Sequence, residues 1–139
     1  SLVGNWRMAG HVMKDSVYYR AKGRWILNHQ FFHFAMKDVN RPSRYEAHVF
    51  WGYDSSKTNY VVHWLDVFGG ESSKTLGSGR VNSDSIQILF DYPGRPFRDF
   101  IRLWKNRRGG QFLIEYQTAD GEWKEFANYK MEKVSRKMR

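Results

Sequence analysis

The chain has 139 residues, enough for one hydrophobic core and too few for two comfortable ones, so it is expected to fold as a single domain over 1–139. It has no cysteine, which excludes disulfides, thiolate zinc sites and a cysteine nucleophile, and it has no apolar run near the ~20 residues of a membrane-crossing helix. Its formal charge of +9 would draw phosphates and acidic partners, but charge balance speaks to solubility and non-specific binding, not to fold.

Much of the basic excess sits at segment ends: Lys105, Arg107 and Arg108 in one turn, and Lys130, Lys133, Arg136, Lys137 and Arg139 in the tail. A binder of single-stranded nucleic acid would interleave exposed aromatics with such residues, and neither cluster contains an aromatic after Trp104. A solvated surface is therefore expected, with a nucleic-acid or acidic-partner module as a rival. No secretion signal is apparent, and a cysteine-free chain is compatible with the reducing cytoplasm.

Aromatic residues make up 17% of the chain, and apolar residues alternate with a period of two almost throughout, the pattern of strands with one buried face. Strands are expected at about 3–14, 16–22 and 24–37. "NRPS" at 40–43 leads into 44–53, "DSSK" at 54–57 into 59–68, and "GGESS" at 69–73 into 75–81. "NSD" at 82–84 precedes a strand over 85–92, and "YPGRP" at 92–96 precedes one over 97–106. "RRGG" at 107–110 leads into 110–118, and "ADGE" at 119–122, with its Asp-Gly hairpin pair, into 122–133. Short connections favour antiparallel neighbours. About ten such strands with no covering helix bury a face most simply by closing into an all-β, antiparallel up-and-down β-barrel, which also removes the edges.

Alternation sorts the fourth and fifth strands into two faces. Tyr45, Ala47, Val49, Trp51 and Tyr53 share one face of the fourth, and Tyr60, Val62, Trp64, Asp66 and Phe68 one face of the fifth. Pairing Tyr53 with Tyr60 across the turn sets Trp51 opposite Val62 and Val49 opposite Trp64. The two aromatic faces then coincide and are taken as the interior, leaving Asp66 as an acid pointing into an apolar enclosure.

"LVGNWRMAG" at 2–10, "RWILNHQFFHF" at 24–34, "YEAHVFWGYDSSKTNYVVHWLDVFGG" at 45–70 and "TADGEWKEFANYKME" at 118–132 together resemble a largely bacterial family of uncharacterised lipocalin-like domains. Gly4-x-Trp6, Gly52-Tyr53-Asp54 and Trp64-x-Asp66, in that order, carry the resemblance. It implies a calycin-type barrel whose mouth or lumen holds a small, largely apolar molecule, and no assigned activity. It also implies that Trp6 plugs the closed end, with Lys130 or Lys133 stacked on its ring. His29 and Gln30 stand where the family commonly has glycine, which would set bulk beside the lumen.

Isolated burial of the Asp66 carboxylate would cost several kcal/mol, so it must find donors, raise its pKa, or meet a ligand. Tyr45, Tyr60 or a lumen arginine could satisfy it; alternatively it anchors a ligand among aromatic walls, or acts as a general acid or base in an enzyme. The candidate ligand wall is Tyr45, Trp51, Val62, Trp64, Asp66, Phe68, Ile88 and Phe90. Of the five histidines, His29 and His33 are four apart on one expected strand, about 13 Å, too far for one metal ion. His48 and His63 lie diagonally on adjacent strands, facing outward. A surface pair is expected there, with zinc or haem iron as alternatives, so no catalytic residue, metal or cofactor is assigned. The expected partner is a small apolar or amphipathic molecule, and a homodimer stays open.

Overall fold

The structure, a computed structural model, describes residues 1–135; Arg136, Lys137 and Arg139 of the basic tail lie outside the described residues. Ten strands follow one another: β1 (Gly4–Val12), β2 (Asp15–Ile26), β3 (Phe31–Asp38), β4 (Glu46–Asp54), β5 (Asn59–Asp66), β6 (Gly77–Val81), β7 (Ser85–Phe90), β8 (Phe97–Leu103), β9 (Gly109–Gln117) and β10 (Trp123–Val134). Each pairs antiparallel with its sequence neighbours, and β1 also pairs with β10, so the sheet closes into a barrel without a free edge. Among the described residues the only helical element is a single 3-10 turn at Glu71–Ser73, and no helix is long and apolar enough to cross a membrane.

The register between β4 and β5 follows the alternation of the sequence: Tyr53 faces Tyr60, Trp51 faces Val62 and Val49 faces Trp64. The expected break between the second and third strands is corrected. β2 runs on through Gly23 to Ile26, and the reversal comes at 27–30. A Cβ on Gly23 would lie 2.1 Å from the Leu2 carbonyl oxygen and 2.7 Å from the Phe32 ring, so this glycine allows close packing inside a strand and does not mark a turn. The turn itself places Leu27, Asn28 and His29 at φ of 50°, 57° and 65°, the left-handed region where glycine is easiest. His29 thereby leaves the strand that would have carried it with His33. Its ring stacks on Trp25, with centroids 5.1 Å apart, and both His29 and Gln30 are exposed outside the barrel.

The chain reversals alternate between two ends. One end, formed by the turns after β2, β4, β6 and β8, is packed solid. Trp6 is 1% exposed there, its indole N–H donating to the Leu2 carbonyl at 3.0 Å, and Lys133 Nζ lies 5.6 Å from the ring centre. Of the two lysines expected over Trp6, Lys133 takes that place, while Lys130 sits 5.9 Å from Trp104. Phe32, Phe34, Trp51, Val62, Ile101 and Leu103 are buried in the same core.

The opposite end is built differently. β10 carries an irregularity between Glu125 and Ala127, where pairing with β9 skips Phe126. An extra residue in one strand turns its side chain out of the strict alternation. Phe126 packs edge-on against Phe97 at 5.2 Å while Ala127, next to it, stays fully buried. β5 and β6 pair over only three residues each, Tyr60–Val62 with Gly77–Gly79, and the connection 67–76 lies beside the remaining length of β5. That seam is the least hydrogen-bonded in the wall.

Candidate ligand site in the open half of the barrel

The open half holds a cavity of about 580 Å³. Its walls are mainly aromatic. Phe90 stacks on Tyr92 at 5.4 Å, Tyr92 meets Phe97 edge-on at 5.7 Å, and Trp64 stands edge-on to Phe90 at 6.2 Å. Tyr19 stacks on Tyr45 at 5.6 Å, and Tyr129 closes the wall 5.5 Å from Tyr19. Gly77 makes room for part of this wall, since a Cβ there would be 2.7 Å from the Phe90 ring.

Trp64, Tyr45 and Asp66 form a directed chain. The Trp64 indole N–H donates to the Tyr45 hydroxyl at 3.1 Å, and that hydroxyl donates to Asp66 Oδ2 at 3.0 Å. The backbone N–H of Phe68 donates to the other Asp66 oxygen at 3.0 Å. Burial, reinforced by the Asp66 charge, raises the Tyr45 hydroxyl well above the ordinary tyrosine value, so Tyr45 keeps its proton and can only donate to the carboxylate. The sequence places both donor and acid correctly: β4 starts at the mouth beside Tyr45 and β5 ends there at Asp66, and antiparallel pairing brings Ala47 opposite Asp66.

Of the eight residues expected to form the wall, Tyr45, Trp64, Asp66, Phe68 and Phe90 line this cavity. Trp51, Val62 and Ile88 point inward as expected but belong to the packed core, 7%, 1% and 2% exposed. Alternation fixes which face a residue takes and says nothing of its depth along the axis. Phe68 lies beyond the end of β5 and is 71% exposed, a rim residue tilted against Tyr45 at 6.1 Å.

Three further acids at the cavity, the exposed Asp15 and the buried Asp38 and Asp99, are absent from that wall. Asp38, at the end of β3, is almost fully buried; burial alone would raise its pKa, but the backbone N–H groups of Asn40 and Arg44, each 3.1 Å from the carboxylate, and the Arg44 guanidinium at 3.4 Å hold it below the usual range. Asp99 is the opposite case. It lies in β8 between Ile88 and Ile114, is 3% exposed, and has no hydrogen-bonding or ionic partner among the described residues. Burial pushes its carboxyl up to about 8. The signal for Asp99 is in the sequence: in "FRDFIRL" the alternation sets Phe97, Asp99, Ile101 and Leu103 on one face, the same argument that singles out Asp66.

No histidine lines the cavity among the described residues. His11 contacts Glu125 at 2.7 Å on the outside, and His63 contacts the Ser73 carbonyl at 2.8 Å. His48 pairs with Leu65 and His63 with Phe50, so the two are diagonal, but His48 contacts His33, whose Nε2 lies 2.8 Å from its Nδ1, and Glu46, whose carboxylate lies 3.2 Å from its Nε2. His33 also stacks on Phe50 at 4.7 Å, and burial, His48 and Arg24 together hold it below the usual histidine value. No cluster of three or more metal-ligating side chains with metal-site geometry occurs among the described residues.

No family model matches the sequence, and no curated protein does. Among solved structures the chain is similar to the crystal structure of Rv2717c from M. tuberculosis, with a TM-score of 0.60 over 96% of this chain and 93% of that one, at 8% sequence identity. At that identity the likeness concerns the fold, a ten-stranded antiparallel barrel, alone.

Proposed function

We propose that the protein is a lipocalin-like carrier or sensor that binds a small apolar or amphipathic molecule in the open half of its barrel, working in the cytoplasm. The observation that supports this most directly is the pairing of an aromatic-walled cavity of about 580 Å³ with a short polar chain, Trp64 to Tyr45 to Asp66, at its mouth. Small-molecule sites are commonly ~300–1,000 Å³, apolar in most of their lining, with a few placed polar groups that orient the ligand. Trp64 supplies a flat face within the wall, and its N–H is already engaged, so the ring meets a ligand as hydrocarbon.

The test is fluorescence titration with N-phenylnaphthylamine, a neutral aromatic probe that brightens in apolar surroundings. Trp64→Ala is expected to weaken probe uptake at least ~10-fold, with the far-ultraviolet circular dichroism of the barrel retained. Undiminished uptake by a folded Trp64→Ala protein would remove the cavity from the proposal.

A further inference from the structure

The cavity has a charge of its own, opposite to that of the chain. Asp15, Asp38, Asp66 and Asp99 line it, against one cation, Arg44, in a protein of net charge +9. Arg44 is committed to Asp38. The groups on Asp66 are neutral donors, the Tyr45 hydroxyl and the Phe68 N–H, so its negative charge is not cancelled. Asp99 has neither donor nor cation, although a buried polar group without a partner is costly and uncommon. Its cross-strand neighbours Ile88 and Ile114 give it nothing, and Tyr92 and Tyr129 are the titratable groups that feel its charge. Tyr92 feels Asp66 as well, so both acids act on the same stretch of aromatic wall.

Resting on the binding function proposed above, we infer that the ligand is a hydrophobic amine: its ammonium nitrogen pairs with Asp99 and its hydrocarbon lies against Tyr92, Phe97 and Phe90. An ammonium ion satisfies Asp99, the buried acid without a partner, is drawn by the uncancelled charge of Asp66, and is the ion that aromatic faces attract. A carboxylate or phosphate would meet the same groups as a repelled anion.

The ionic balance has a readable consequence. Below about pH 8 the Asp99 carboxyl holds its proton in the empty cavity, so binding an ammonium ion forms a carboxylate–ammonium pair and releases that proton to water. Amine affinity should therefore rise, approaching ~10-fold per pH unit, between about pH 6 and pH 8, and level off above. Tyr92, raised to about 12, and Tyr129, raised further, stay neutral throughout that window, and Asp38 stays ionised beside Arg44.

The experiment is calorimetric titration with a matched pair, phenylbutylamine and phenylbutanol, at several pH values and in two buffers of different ionisation heat. The amine is expected to bind ~10- to 100-fold tighter than the alcohol near pH 8, with close to one proton released at lower pH, while the alcohol shows neither effect. Asp99→Asn should abolish the preference and the proton release and leave the alcohol unchanged; the wild-type pair decides the matter even if that variant folds poorly. Equal binding of amine and alcohol, or a preference that survives in folded Asp99→Asn, overturns the amine assignment and leaves the cavity site standing. Binding of neither compound, with the neutral fluorescent probe also rejected, overturns both.

Discussion

The two halves of the barrel share one backbone pattern and end in different states. Toward the closed end the inward positions carry Trp6, Phe34, Trp51, Val62 and Ile101, which bury one another until none is more than 7% exposed. Toward the mouth the same alternation delivers Tyr19, Tyr45, Asp66, Asp99 and Tyr129, and a volume of about 580 Å³ is left between them. Closing a sheet fixes which side chains face in; whether they fill the space depends on their volumes and on the depth at which each strand delivers them.

The largest expected effect tests this contrast directly. Phe34→Ala, at a position 1% exposed in the filled half, should cost about 3–5 kcal/mol of stability, because the transfer of the ring and the cavity it leaves add together. Phe97→Ala, half-buried on the cavity wall, should cost about half of that or less, since its ring already borders open space. Equal costs in denaturant melts would erase the distinction between the halves.

Asp99 sharpens the comparison through pH. Its pKa in the folded protein, about 8, lies above the ordinary carboxylate value of ~4, so its proton is held more tightly by the folded than by the unfolded chain. Its contribution is therefore most favourable below about pH 4, declines as pH rises toward about 8 by up to ~1.4 kcal/mol per unit, and is level above that. His33 acts in the opposite sense, since its lowered pKa weakens the fold as pH falls below ~6.5. Comparing Asp99→Asn with wild type cancels the histidine. The variant should gain on wild type by a few kcal/mol from about pH 5 to pH 8, read by urea melts at each pH. A constant difference would mean that Asp99 is ionised in the folded protein.

Much of the architecture is legible in the sequence for a physical reason. Period-two alternation determines face and, with the short "DSSKTN" turn, determines the β4–β5 register, because one-residue slips would turn Asp66 and Trp64 outward. The same rule set Trp51, Val62 and Ile88 on the cavity wall, where they are not, since depth along the barrel axis depends on strand tilt and on what other strands contribute. The break expected between 22 and 24 falls where β2 continues, because a glycine needed for close approach, as Gly23 is, and a glycine needed for a turn look alike in sequence. Phe126 was invisible for another reason: a bulge breaks the alternation on which the whole inference runs. The His33–His48 contact joins residues 15 apart on the outer face, a pairing that needed the β3–β4 register to be seen.

The smallest effect falls on Tyr45→Phe, and it separates architecture from recognition. The substitution keeps the ring that stacks on Tyr19 and removes only the hydroxyl that accepts from Trp64 and donates to Asp66. Both former partners are half-buried at the mouth, where water can replace the lost contact, so the stability cost should be about 1 kcal/mol. Binding is expected to respond more than folding does. Without its acceptor the Trp64 indole must recruit water into an apolar wall, and N-phenylnaphthylamine uptake should weaken several-fold, about as one lost hydrogen bond would imply. If Tyr45→Phe instead destabilises the barrel as much as Phe34→Ala while leaving probe uptake intact, the Trp64–Tyr45–Asp66 chain is a brace that holds the mouth open, and ligand orientation must fall to Asp99 alone.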